Sequence, residues 1–221
     1  MSVPTVEEVE AGQAVYNKHV LAIYDLLVLG FSCQFLWKCP ADRMAKQYDK
    51  FVSNNHLDVG VGTGYFLDRC YFPSDYPRIA LMDLNNNALM YTSERISRYR
   101  PEIYCRNVLE PIFISSEKFD SVGVNFLLHC LPGDLFIKGV LFDHLMNLMA
   151  PNAVIFGSTI LQSGVSPNRL AKRLMRFYNE KGVFSNQNDS ADALKKELEA
   201  RFTAVSVEII GCVALFSARN Y

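Results

Sequence analysis

Tryptophan occurs once in this 221-residue chain and histidine four times, and neither sign of charge prevails: 22 Lys and Arg stand against 23 Asp and Glu, a formal net charge of −1. Without a basic excess or a Lys/Arg stripe there is no electrostatic footprint for a duplex or a tRNA, so no nucleic-acid partner is expected. Long apolar runs are missing too. Leu26 to Trp37 is the longest nearly uncharged stretch and is too short to span a bilayer, so no membrane span is expected. The six cysteines (Cys33, Cys39, Cys70, Cys105, Cys130 and Cys212) include no CxxC pair, and no signal peptide opens the chain. That usage suits reduced, mostly buried thiols in a soluble cytoplasmic protein. Repeats, low-complexity tracts and Pro/Gly/Ser linkers are absent as well, and a mass of 25.0 kDa fits one globular unit.

What is present begins at residues 57–64, Leu-Asp-Val-Gly-Val-Gly-Thr-Gly, where an apolar strand runs into Gly60, Gly62 and Gly64. Glycine lets the chain turn sharply after a strand and lets a ligand lie against its peptide groups. A dinucleotide fingerprint requires G-x-G-x-x-G, and its third glycine position is taken by Tyr65, which disfavours a nicotinamide-dependent oxidoreductase. Arg78-Ile-Ala-Leu-Met-Asp83 follows, an apolar run closed by the carboxylate that nucleoside-binding βαβ units use for ribose hydroxyls.

Strand-like runs at about 56–60, 78–83, 102–106, 119–125 and 152–160 alternate with helix-like stretches near 64–71, 87–98 and 134–149. The alternation predicts a parallel sheet with right-handed crossovers. Two more helices, about 168–181 and 190–201, precede Thr203–Ile210 and Cys212–Arg219. Only Gly211 separates those two runs, so they must form an antiparallel hairpin.

The Asp58-x-Gly60-x-Gly62-x-Gly64 loop, the acid at Asp83 and this order of elements resemble the class I S-adenosylmethionine-dependent methyltransferases. The resemblance implies an α/β, Rossmann-like fold with a seven-stranded sheet, mostly parallel with a carboxyl-terminal antiparallel hairpin, and helices on both faces. It divides the chain into an amino-terminal helical cap at 1–50 and a methyltransferase domain at 51–221. Tyr24-Asp25-Leu26 and Leu36-Trp37-Lys38 are similar to the opening of the ubiquinone/menaquinone-biosynthesis type, from which the cap is carried over and the quinone is not.

The resemblance implies S-adenosyl-L-methionine as cofactor, with S-adenosyl-L-homocysteine as product and no metal. It assigns cofactor contacts to Tyr24, Asp58, Gly60, Gly62, Gly64, Asp83, Leu84, Asn107, Val108, Asn125 and Phe126. Leu84 offers adenine an apolar face, Asn107 stands where the family commonly has Asp, and Asn125 with Phe126 adjoins the methionine half. Tyr16 and Trp37 are the candidate acceptor contacts, drawn from the aromatic cap. His129 follows the fourth strand, where α/β sheets bind ligands, and an imidazole of ordinary pKa suits a general base. A hydroxyl or phenol acceptor would need such a base, and a carboxylate would not. The expected activity is methyl transfer, O-methylation foremost, to a small apolar or aromatic metabolite; a homodimer is compatible with it. The competing reading is a non-catalytic subunit or regulator with the same fold.

Overall fold

The computed structural model describes residues 32–221. Of the cap expected at 1–50, residues 1–31, with Tyr16 and Tyr24, lie outside the described residues.

Seven strands form one sheet: β1 (Asn55–Val59), β2 (Arg78–Asp83), β3 (Glu102–Cys105), β4 (Phe119–Asn125), β5 (Met149–Ile160), β6 (Thr203–Ile210) and β7 (Val213–Arg219). Their order across the sheet is β3-β2-β1-β4-β5-β7-β6. The first five run parallel, while β7 pairs antiparallel with both β5 and β6. Burial follows position. β1 and β4 are buried along nearly their whole length, whereas the edge strands β3 and β6 alternate toward solvent, as covered centres and open edges require. One apolar cluster centres on Leu57, Val122, Phe142, Leu145 and Phe216, the other on Met44, Tyr48, Leu67, Leu81, Phe156 and Val213.

Helices α1 (Ala41–Phe51), α2 (Tyr65–Arg69), α3 (Asn86–Arg95), α4 (Leu135–Lys138), α5 (Val140–Met146), α6 (Arg169–Glu180) and α7 (Ala191–Glu199) connect and cover the strands. The single helix predicted over 134–149 is two. Gly139 joins α4 to α5 and lies against α7, where a Cβ would stand 2.5 Å from Glu197 Oε2. Side-chain caps start four helices: Asn85 on α3, Asp134 on α4, Asn168 on α6 and Ser190 on α7 each accept a backbone N–H of their own first turn.

The amphipathic helix α1 packs on β5 and α2 and buries Met44, Gln47 and Tyr48. Gln47 Nε2 donates to the Phe216 carbonyl at 2.8 Å, which pins the helix to β7. The helical layer against this face of the sheet therefore begins by Ala41. Beneath the sheet's opposite face, the Lys138 ammonium is wholly buried between Asp189 Oδ2, at 2.6 Å, and the Ser185 carbonyl, at 2.5 Å. Burial pushes both ionisable groups toward their neutral forms, and their mutual attraction opposes it. The pair ties the loop between α6 and α7 to α4.

Candidate active site

The strand order reverses between β1 and β4, whose connections leave toward opposite edges of the sheet. Such a switch point opens a crevice at the carboxyl ends of the strands. A cleft lies there, with Asp58 and Gly60 from β1 and its loop, Asp83 and Leu84 at the end of β2, Asn107 and Val108 after β3, and Asn125 and Phe126 at the end of β4.

The floor is the glycine loop. Gly60, Gly62 and Gly64 have φ of 72°, 54° and 70°, left-handed values that favour glycine. Space distinguishes them further. A Cβ on Gly64 would stand 2.6 Å from Thr92 Cγ2 and one on Gly60 would stand 3.0 Å from Leu127, whereas one on Gly62 would meet nothing within 4 Å. Gly60 and Gly64 thus seat the loop on its neighbours, and Gly62 faces open space.

At one end Asp83 takes the Asn85 N–H at 2.8 Å. Burial raises its pKa to about 6, opposed by backbone N–H groups of Asn85, Val61 and Leu84 and assisted by the charge of Asp58. Asn107 forms an Asx turn. Its Oδ1 accepts the Leu109 N–H at 3.0 Å and its Nδ2 donates to Glu110 at 2.9 Å. The side chain is held by its own turn, and any further partner must share that oxygen.

At the other end, Asn125 Oδ1 accepts the Ser158 hydroxyl at 2.8 Å, and its buried Nδ2 has no acceptor among the described residues. Phe126 follows at φ 51°, a costly conformation for an aromatic residue, held by its N–H to the Ser158 carbonyl at 2.9 Å. Beyond it the wall is apolar, built from Leu127, Leu131 and Pro132 with Cys130 among them. Tyr48, which sequence reasoning missed, also lines the cleft and donates to Asp58 Oδ1 at 2.7 Å. Arg106, Thr63 and Tyr65 are further lining residues that it missed.

Three expected residues, Gly64, Trp37 and His129, are not among those that line the cleft. Trp37 is buried in the core with Phe184 at 6.2 Å between ring centroids. His129 is buried between Phe126 and Phe184, with centroids at 5.8 and 4.6 Å. Its Nδ1 accepts the Ile160 N–H at 3.3 Å, so a neutral ring carries its proton on Nε2. Burial, and then the charge of Lys138, lower its pKa to about 3. A ring with one nitrogen committed to a backbone donor and the other protonated offers no lone pair to an acceptor's proton, in contrast to the general-base role expected for it.

No family model matches the chain. The demethylluteothin O-methyltransferase of Streptomyces thioluteus is 39% identical over 212 residues, spanning 96% of this chain and 92% of that protein. The physcion biosynthesis cluster O-methyltransferase of Aspergillus chevalieri is 36% identical over 217 residues, 97% of each. The chain belongs to the class I S-adenosylmethionine-dependent methyltransferases. Solved folds agree: the DhpI–SAH complex superposes with a TM-score of 0.70 over 98% of both chains at 13% identity. The N-methyltransferase NodS of Bradyrhizobium japonicum, with S-adenosyl-L-homocysteine, gives 0.61 over 91% of this chain and 97% of its own at 15% identity.

The cleft of this methyltransferase fits its cofactor on three counts. Gly62 leaves room against the backbone, Asp83 offers a carboxylate at the βαβ position for ribose hydroxyls, and Asn125 Nδ2 is a buried donor with no acceptor among the described residues. S-adenosyl-L-methionine supplies an electrophilic methyl group that needs no activation. What remains for the protein is to hold the acceptor in line with that methyl and to keep water out. Among the described residues no group of three or more His, Cys, Asp or Glu could hold a metal ion, and no helix is long and apolar enough to cross a membrane.

Proposed function

We propose that the enzyme methylates a hydroxyl group on a small apolar or aromatic metabolite. The observation that carries this reading is the wall beyond Asn125, where Phe126, Leu127, Leu131 and Pro132 give an acceptor an apolar bed. It is supported by the kinship with O-methyltransferases at 39% and 36% identity. In this reading the cofactor lies across the carboxyl ends of the strands. Its ribose is at Asp83, its adenine is between Leu84, Asn107 and Val108, and its amino-acid end is over Asp58 and Asn125.

His129 then acts on packing and not on the acceptor's proton. Catalysis rests on proximity, with an acceptor that ionises on its own or loses its proton to water. Tyr24 as a cofactor contact and Tyr16 as an acceptor contact stand as proposals of the same reading, to be tested by Tyr→Phe variants, whereas Trp37 belongs to the core.

The deciding experiment is a methyl-transfer screen with labelled cofactor against phenols, enolic hydroxyls, carboxylic acids and amines. Turnover confined to phenols and enols supports the reading. Turnover of amines alone would move the enzyme toward chemistry like that of the N-methyltransferase vrtF of Penicillium aethiopicum, 33% identical over 184 residues. Tight binding of the cofactor with no turnover of any class would favour a non-catalytic member of the fold.

A further inference from the structure

Tyr48 and Asp58 are ten positions apart in the chain and come from different layers of the fold. Tyr48 stands on the inner face of α1, its ring stacked on Phe66 at 5.1 Å and edge-on to Phe156 at 5.2 Å. Those two contacts fix the ring plane and so the direction of its hydroxyl, which donates to Asp58 Oδ1 at 2.7 Å. Gly123 on β4 makes room for the carboxylate, because a Cβ there would stand 2.7 Å from the same oxygen. Behind it His56 Nε2 lies 3.6 Å away, too far for a hydrogen bond, and has no hydrogen-bond partner among the described residues. The phenol is thus the close donor on Oδ1.

Both residues line the cleft with Asn125, whose buried Nδ2 has no acceptor among the described residues. A carboxylate and an amide N–H side by side match the two charges of a free amino acid: the carboxylate accepts from an ammonium and the amide donates to a carboxylate. The Asp58 side chain can serve an ammonium only if its orientation is held, and the buried phenol is what holds it.

We propose that Tyr48 is a positioning residue for the amino-acid end of the cofactor, acting through Asp58. The inference rests on the cofactor orientation proposed above. It assigns α1 a share in cofactor selectivity as well as its place in the core.

The test compares two ligands that differ only at that end: S-adenosyl-L-homocysteine, and 5′-methylthioadenosine, which keeps the adenosine and sulfur and lacks the ammonium and carboxylate. Calorimetry on Tyr48→Phe should show about a tenfold loss for the homocysteine compound, the usual scale for one hydrogen bond to a charged group. Affinity for methylthioadenosine should stay unchanged. In an Asp58→Asn background, which preserves side-chain size, adding Tyr48→Phe should have no further effect on either ligand. In turnover, KM for S-adenosyl-L-methionine should rise with kcat little altered. Equal losses for both ligands would make Tyr48 merely structural, and full affinity for the homocysteine compound would remove it from the site. Wild-type protein that binds the two ligands equally well would instead overturn the proposed orientation, and this proposal with it.

Discussion

The Ser158 hydroxyl, on β5, fixes which way the Asn125 amide on β4 faces: the oxygen takes the hydroxyl at 2.8 Å and the buried nitrogen has no hydrogen-bond partner among the described residues. An unpaired buried donor is a cost that the free enzyme carries and a ligand acceptor removes. Asn125→Ala should therefore weaken S-adenosyl-L-homocysteine by roughly ten- to a hundredfold, about 1.5–3 kcal/mol for a bond to a charged acceptor. Asn125→Asp should weaken it further by placing a second carboxylate near Asp58. Calorimetry reads both, and an unchanged affinity in the alanine variant would show that Nδ2 faces no part of the ligand.

Asp83 links cofactor binding to pH with a definite sign. Its folded pKa of about 6 lies above the ordinary value of 3.8, so the folded protein holds this proton more tightly than the unfolded chain does. Through this group the ligand-free enzyme loses stability as pH rises from about 4 to 6, and the loss persists above that. Asp83→Asn should raise the melting temperature of the ligand-free protein at pH 8 while weakening the homocysteine compound at least tenfold. The wild-type affinity should also fall below about pH 6, as the carboxylate takes up a proton. A variant no more stable than wild type at pH 8 would show that the acid is not strained by burial.

The glycine loop predicts a separation between stability and binding. Gly64→Ala combines a left-handed backbone with a Cβ 2.6 Å from Thr92 and should cost about 2–3 kcal/mol in denaturant unfolding. Gly62→Ala meets only the backbone penalty, about 1–2 kcal/mol, but sets a methyl group in the cleft and should lose cofactor affinity out of proportion. Similar stability losses in both variants would contradict the assignment of Gly62 to the ligand side.

For His129 the sign is opposite to that for Asp83. Its pKa of about 3, lowered from 6.5, means that the unfolded chain binds a proton the folded one refuses. Stability should fall as pH drops below about 6.5, and His129→Gln should flatten that acid limb. The pH–rate profile between 5 and 9 should keep its shape in the variant, following the acceptor's own ionisation. A wild-type inflection near 6.5 that vanished in the variant would restore the general base.

Lys138→Met should be one of the most damaging single changes outside the cleft. It strands Asp189, whose Oδ1 already lacks a partner among the described residues, inside the protein, and the cost should be about 3–5 kcal/mol. Lys138→Met combined with Asp189→Leu should recover most of it, as a double-mutant cycle in urea would measure.

Features that depend on neighbours in the chain were legible in the sequence. β2 ends at Asp83 as its apolar run implied, the three glycines form the turn they suggested, and Gly211 marks the hairpin of β6 and β7. Features that depend on distant partners were not. His129 resembles a free imidazole until Ile160, 31 residues later, places an N–H on its Nδ1. Tyr48 gave little warning, because the polar stretch 41–51 around it has apolar residues only at Ala41, Met44, Ala45, Tyr48 and Phe51. What makes it part of the cleft is the sheet beneath the helix. The close approach of Gly139 to Glu197, supplied by a helix nearly sixty residues on, is likewise a contact with a distant partner.

The position of β7 sets the order in which this protein can be completed. The last strand in the sequence is not the last in the sheet: it sits between β5 and β6, and each of those two has its neighbour there only through it. During synthesis β6 has no place to pair until Val213–Arg219 has left the ribosome, and β5 presents an open edge meanwhile. A chain stopped before Val213 would hold every residue of the cleft described above and still lack the strand that closes its sheet, exposing Phe156 and Ile160 to whatever edge it met first.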